Sequence, residues 1–196
     1  MPFFPSLPDD AGVRHVLALN PKAGSALIEF HEAALRNASP LPPANKELIA
    51  AYVSALNACQ YCYGVHSETA KAFGVDGELL TGLVADPATA EVDEKLKPLL
   101  AYARKLTLTP ARLTQADADA VFAVGWDEAA LHDAVLTVCL FNFMNRLVEG
   151  HGVKGTTDLF VARGQALHDD GYAPMLEMLA EIAARPRRPK SDADGT

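Results

Sequence analysis

A chain of 196 residues, 49% of them hydrophobic, holds enough apolar material for a sizeable core in one domain or in two closely packed helical halves, which excludes disorder for its body. Its formal net charge of −8 argues against general nucleic-acid binding, which needs a basic surface, and points to no electrostatic partner. The first residues lack a basic region followed by an apolar run, and no window reaches the roughly 18 uninterrupted apolar residues of a membrane span, so the chain is expected to be cytoplasmic. In that reducing setting a close cysteine pair is catalytic or metal-binding rather than structural, and the sequon-like Asn37-Ala38-Ser39 carries no weight.

In chain order, Pro2, Pro5 and Pro8, with Pro21 closing the stretch, predict an extended arm over 1–21, docked by Phe3, Phe4 and Leu7. Over Lys22 to Arg36 the apolar positions Leu27, Ile28, Phe30, Ala34 and Leu35 recur at helical spacing, up to the boundary Ser39-Pro40-Leu41-Pro42-Pro43. Lys46 to Phe73 is helical in composition and stops at Gly74, and Asp76 caps a short helix through Val84. Leu96 to Leu106 follows. Thr114 and Asp117 form a capping arrangement that opens Gln115 to Val124, stopped by Gly125, and Asp127 caps the long apolar segment Glu128 to Val148. Gly150, Gly152 and Gly155 close that helix. A last amphipathic helix, Tyr172 to Ala184, ends an all-helical domain over 22–184, and 185–196 reads as a flexible, solvated tail. Strand signals are almost absent, so the fold class is all-α, a helical bundle. Glu47 to Cys59 and Asp133 to Asn145 share a twelve-residue spacing, a faint echo compatible with a degenerate repeat but of a kind that apolar helices often produce by chance.

The segment from Glu47 to His66 carries the chemistry. Two cysteines at C-x-x-C spacing at a helix start stand roughly 5–6 Å apart at Cα, the separation of a disulfide. A first cysteine at the helix N-terminus is favoured as thiolate by unpaired amides and the helix dipole. His66, one turn after Cys62, lies within reach of that sulfur as a base. Glu47 is harder to place, because the fifteen residues from Glu47 to Cys62 span roughly 22 Å on one straight helix. A break near Asn57-Ala58 resolves this: Asn57 is a poor interior helix residue and a good cap, and two helices folded back on each other bring Glu47 to His66, fixing its tautomer. The competing readings are a buried structural pair and a zinc site with Cys59, Cys62 and His66, which lacks a nearby fourth cysteine; haem attachment fails because the histidine does not directly follow Cys62.

Elsewhere, Cys139 within Leu136-Thr-Val-Cys-Leu-Phe reads as a small buried apolar residue. Gly150-His-Gly152-Val-Lys-Gly155 spells G-x-G-x-x-G but follows a helix, so it terminates that helix rather than binding a nucleotide; His151 there is a surface or helix-end partner. His15, His31, His132 and His168 are isolated. Asn142, Asn145 and Arg146 read as a buried hydrogen-bond network or subunit contact, and Tyr52, Tyr61 and Tyr63 as residues that line or pack the pocket.

The motif E-x11-C-x-x-C-x3-H over Glu47 to Gly74 resembles the alkylhydroperoxidase D-like branch of the carboxymuconolactone decarboxylase superfamily. The stretches Tyr102-Ala-Arg-Lys-Leu-Thr, Gly125-Trp126 and Phe141-Asn142-Phe143-Met144-Asn145-Arg146 extend the resemblance to its uncharacterised peroxidase-related subgroup. The resemblance implies an all-helical homo-oligomer, a dimer, trimer or hexamer, that reduces hydroperoxides without a cofactor and is itself reduced by an external thiol donor. By position, Cys62 is the peroxidatic thiol, Cys59 the resolving thiol, and His66 and Glu47 the proton relay. One position departs: Tyr61 stands where better-characterised members have a histidine, and a tyrosine does not take a proton near neutral pH. A redox sensor or assembly protein using the same dithiol is the alternative from another class. Lactone decarboxylation has only superfamily analogy behind it.

Overall fold

The computed structural model of the chain describes residues 1–85 and 90–184. Among these it forms ten α-helices and no strand: α1 Val13–Leu17, α2 Pro21–Leu35, α3 Pro43–Leu56, α4 Gln60–Ala72, α5 Gly77–Ala85, α6 Leu96–Leu108, α7 Gln115–Ala123, α8 Glu128–Gly150, α9 Thr157–Asp170 and α10 Met175–Ala184. The all-α class is as expected, and the basic tail lies outside the described residues.

The elements start where cap chemistry dictates. Asn20 accepts from the Ala23 amide at 3.2 Å ahead of Pro21, Asp117 accepts from the Thr114 amide at 2.7 Å, and Asp127 accepts from the Ala130 amide at 2.8 Å. Helix α3 is the centre of the molecule. Every residue from Lys46 to Ser54 is buried, as a helix apolar on all sides must be, and it packs against α4, α5, α6 and α8. Each of Leu48, Ile49 and Val53, buried there, contributes about 1.5–3 kcal/mol of transfer free energy. Lys46 itself is fully buried and meets Asp133 of α8 at 3.2 Å and the Asn37 side chain, which in turn donates to Asp133. The acid of the apparent repeat, Asp133, thus ties α3 to α8 through a lysine, while Glu47 serves the thiol region.

Two expectations need correction. The N-terminal arm is not extended throughout, since Val13–Leu17 makes a helical turn opened at Gly12; Leu7 is buried and Phe4 stacks on His151 with ring centroids 4.4 Å apart, whereas Phe3 is 70% exposed. The glycines after α8 end that helix, but a further helix, α9, follows before the last one. Thr156 caps it by accepting from the Leu159 amide at 3.3 Å, and Gly171, at φ 70°, ends it. Helix α9 lies tightly on α4: a Cβ on Gly164 would sit 2.7 Å from the Glu68 backbone, and one on Gly64 would sit 2.3 Å from the Phe160 ring. The last helix begins at Met175 rather than Tyr172, because Tyr172 is drawn into the core.

Candidate active site

The break near Asn57-Ala58 is present. Asn57 caps α3, Ala58 takes φ 53°, and Cys59 is the N-cap of α4 at φ −84°, ψ 96°. The corner is clamped by α8: the Asn57 side chain donates to Asn145 Oδ1 at 2.9 Å and to Asn142 Oδ1 at 3.2 Å, and Asn145 donates to Ser54 Oγ at 2.9 Å. Arg146 holds Asn142 from outside at 2.9 Å. These three residues form a hydrogen-bond network, and its product is the placement of Cys59 at a helix N-terminus.

The two helices fold back so that Glu47 reaches His66. The His66 Nδ1–H donates to Glu47 Oε2 at 2.7 Å, and the ring packs edge-on against Phe141 at 4.4 Å. Glu47 has no exposure, and its other oxygen receives Arg36 Nη2 at 2.8 Å and the Tyr172 hydroxyl at 3.0 Å. Burial works against the carboxylate, but His66 and then Arg36 hold its pKa below the ordinary value. With Nδ1 committed, the second imidazole nitrogen is the one left for chemistry.

Cys59 and Cys62 are both buried, unbonded thiols. Their protons are shared unequally. The Cys62 thiol, donating toward Cys59, lowers the Cys59 pKa; burial opposes this and the Cys62 amide assists it. Cys62 is pushed well above its ordinary value by that same donation, by burial and by the charge on Cys59, with Asn145 acting in the opposite direction. Of the two, the helix-capping sulfur is the one that gives up its proton more readily, as an N-terminal position favours.

Cys62 and His66 line a cavity of about 280 Å³ with largely apolar walls that include Ile28, Val65, Phe141 and Met144. Tyr61 also lines it: its phenol oxygen accepts from the Val13 amide at 3.2 Å, its ring packs edge-on to Phe160, and burial raises its pKa, so it stays a neutral hydroxyl. His31 was expected to stand alone but shares this wall. Its Nδ1–H donates to the Leu27 carbonyl at 2.6 Å, its ring lies 5.2 Å from that of Tyr172, and burial lowers its pKa to about 4.

Arg36 and Tyr172, which complete the surroundings of Glu47, escaped sequence reading because no local spacing links them to the motif. The expectation for Cys139 is overturned: it is exposed. Its neighbours Val138 and Leu140 are buried, but at about 100° per residue Cys139 itself turns outward. Among the described residues no three His, Cys, Asp or Glu side chains converge to hold a metal ion, and none of the helices is long and apolar enough to cross a membrane.

Residues 21–105 match the model of the carboxymuconolactone decarboxylase family. The fold is shared with solved structures. An uncharacterised peroxidase-related protein with an alkylhydroperoxidase AhpD core, from Ralstonia eutropha JMP134, superposes at a TM-score of 0.70 and 21% identity, covering 76% of this chain and 78% of its own. An uncharacterised peroxidase-related protein from Silicibacter sp. TM1040 superposes at 0.71 and 23% identity, covering 78% and 79%. The debrominase Bmp8 in its apo form superposes at 0.63 and 17% identity, covering 83% and 80%. No curated protein matches the chain.

Proposed function

Over residues 21–105 this chain belongs to the carboxymuconolactone decarboxylase family, within the AhpD-like fold, and on that premise we propose that it is a thiol-dependent peroxidase for organic hydroperoxides. The observation that carries this reading is the cavity on which Cys62 opens, with His66 on the same wall and a buried carboxylate fixing the outer side of its ring. Its apolar lining and volume near 280 Å³ suit a hydroperoxide with a hydrocarbon body better than hydrogen peroxide.

Cys62 sulfur attacks the distal oxygen of the hydroperoxide, and its own proton passes to His66, the base that Glu47 orients. The O–O bond breaks, and His66, its transient charge balanced by Glu47, hands that proton to the departing alkoxide, which leaves as an alcohol. Cys62 is now a sulfenic acid. Cys59 attacks it, water leaves, and a disulfide forms. An external dithiol then reduces that disulfide by exchange, restoring both thiols. Tyr61, a neutral phenol on the cavity wall, serves as a hydrogen-bond donor rather than a base.

The reaction needs no cofactor and suits the reducing cytoplasm, where both thiols are regenerated. We place the contact between subunits of a homo-oligomer on the outward stripe of α8, where Phe143 is 50% exposed beside Cys139. Cumene hydroperoxide given to the reduced protein with a dithiol reductant is expected to yield one cumyl alcohol per dithiol oxidised over many turnovers. A single stoichiometric oxidation with no turnover, accompanied by a change of oligomer, supports a redox sensor instead.

A further inference from the structure

The cavity on which Cys62 opens is largely apolar, yet two arginines, Arg14 and Arg163, belong to its wall. Both arrive there beside Tyr61. The Val13 amide donates to the Tyr61 phenol oxygen at 3.2 Å, which sets the next residue, Arg14, against that side of the site. On the other side the Tyr61 ring meets Phe160 edge-on with centroids 6.0 Å apart, and Arg163 follows Phe160 by three residues on the same face of α9. Burial dominates the Tyr61 pKa and raises it, while the charges of Arg163 and Arg14 both act to lower it, as cations near a phenol do. Neither guanidinium pairs with a carboxylate among the described residues; Arg163 Nη1 rests 4.0 Å from Met178 Sδ, a weak and neutral acceptor. Tyr61 is 95% buried, since only 5% of it is exposed, and its hydroxyl accepts from Val13 while its own proton meets no acceptor among the described residues. Three donors without an acceptor of their own thus share one cavity. We propose that Arg14, Arg163 and Tyr61 form a subsite for the carboxylate of an aliphatic acid, whose hydrocarbon lies along the apolar wall toward Cys62.

The chemistry of the three donors fits a carboxylate. A guanidinium presents its N–H groups in a planar fork that matches two carboxylate oxygens, and such charge-assisted bonds are stronger than neutral ones. The phenol adds a neutral donor that stays protonated. Gly12 lets the chain approach this point: a Cβ there would stand 2.8 Å from the Tyr61 hydroxyl oxygen. Asp10 and Asp170 also reach the cavity, but both are exposed and neither pairs with an arginine, so solvent screens their charge. A volume near 280 Å³ takes a chain of medium length rather than a whole lipid. The subsite stands on this geometry, and its consequence for substrate choice rests on the peroxidase reading above: the preferred hydroperoxide is one carried on such an acid, held by its head while the peroxide bond is presented to Cys62.

Binding can be measured without any peroxide. The reduced full-length protein is titrated calorimetrically with octanoate, with 1-octanol and with octyl phosphate, which share one hydrocarbon chain and differ in the head. Octanoate is expected to bind at least tenfold more tightly than 1-octanol, and that ratio is expected to fall roughly tenfold in Arg14→Gln and in Arg163→Gln, the size of a lost hydrogen bond to a charged group, and severalfold in Tyr61→Phe. Arg163→Lys, which keeps the charge and loses the fork, is expected to fall between Arg163→Gln and the native chain. Octanoate bound no more tightly than 1-octanol by the native protein, or an octanoate to octanol ratio unchanged in both glutamine variants, overturns the inference; octyl phosphate bound more tightly than octanoate overturns the assignment to a carboxylate. Cumene hydroperoxide, which carries no acid, tests the peroxidase reading separately. Arginine-dependent selection of octanoate in a protein that does not turn over cumene hydroperoxide keeps the subsite and discards the peroxidase, and turnover without selection of octanoate does the reverse.

Discussion

His31 is a buried imidazole that stays neutral in the folded protein, and stability must follow. Its pKa drops from 6.5 to about 4 on folding, chiefly through burial, so between those values the unfolded chain binds a proton that the folded chain does not. Stability contributed by the neutral ring is complete above pH 6.5 and is lost as pH falls toward 4, on the order of 3 kcal/mol in total. Chemical denaturation at a series of pH values is expected to show that slope in the native protein and a flatter one in His31→Gln. The carboxylates act in a lower window. Glu47 and Asp133 both titrate below their ordinary values, so their contribution is present above the ordinary carboxylate range and disappears only as pH falls through the depressed folded values. Glu47→Gln is a harsher change, because it leaves Arg36 without its buried counter-charge and His66 without its acceptor. It is expected to cost about 3–5 kcal/mol in stability and roughly a hundredfold in the rate of peroxide reduction, checked by urea titration and by stopped-flow oxidation.

The element on which the site depends is the corner between α3 and α4. Ala58 holds φ 53°, a conformation that costs a side-chain-bearing residue about 1 kcal/mol, so Ala58→Gly is expected to raise the melting temperature by a few degrees without altering thiol reactivity. Asn145→Ala removes the acceptor of Asn57 and the donor to Ser54, leaving polar groups of a buried corner unpaired. A loss of about 2–3 kcal/mol in denaturant stability is the expected result, with slower oxidation because Cys59 no longer sits at a defined helix end. This corner was legible in the sequence. Asn57 marks a break within a segment of helical composition, and the need to bring Glu47 to His66 demands one. Helix α9 was not legible, although Thr156 and Gly171 bracket it, because the glycines after α8 mask its start and its face on α4 is built from close glycine contacts rather than an apolar stripe.

For the molecule as a whole, long-range polar contacts were the hidden part. The motif Glu47, Cys59, Cys62 and His66 is readable because all four residues lie within one local run whose spacing follows helix geometry. Arg36, Tyr172 and His31 reach the same cluster from α2 and from the loop before α10, and no periodicity announces a contact across such distances in the chain. Cys139 shows the opposite error: an apolar context suggests burial, yet helix phase directs it outward. If that outward stripe seats a second copy, Phe143→Glu is expected to shift the sedimentation coefficient to that of a monomer.

The division of labour between the two thiols decides the chemistry, and rapid mixing of reduced protein with cumene hydroperoxide in the presence of a dimedone-type trap measures it directly. Cys62→Ser should abolish oxidation, whereas Cys59→Ser should be oxidised once and accumulate a trapped sulfenic acid on Cys62. Equal loss in both variants, or a sulfenic acid trapped on Cys59 in Cys62→Ser, would contradict the assignment of attack to the sulfur that opens on the cavity.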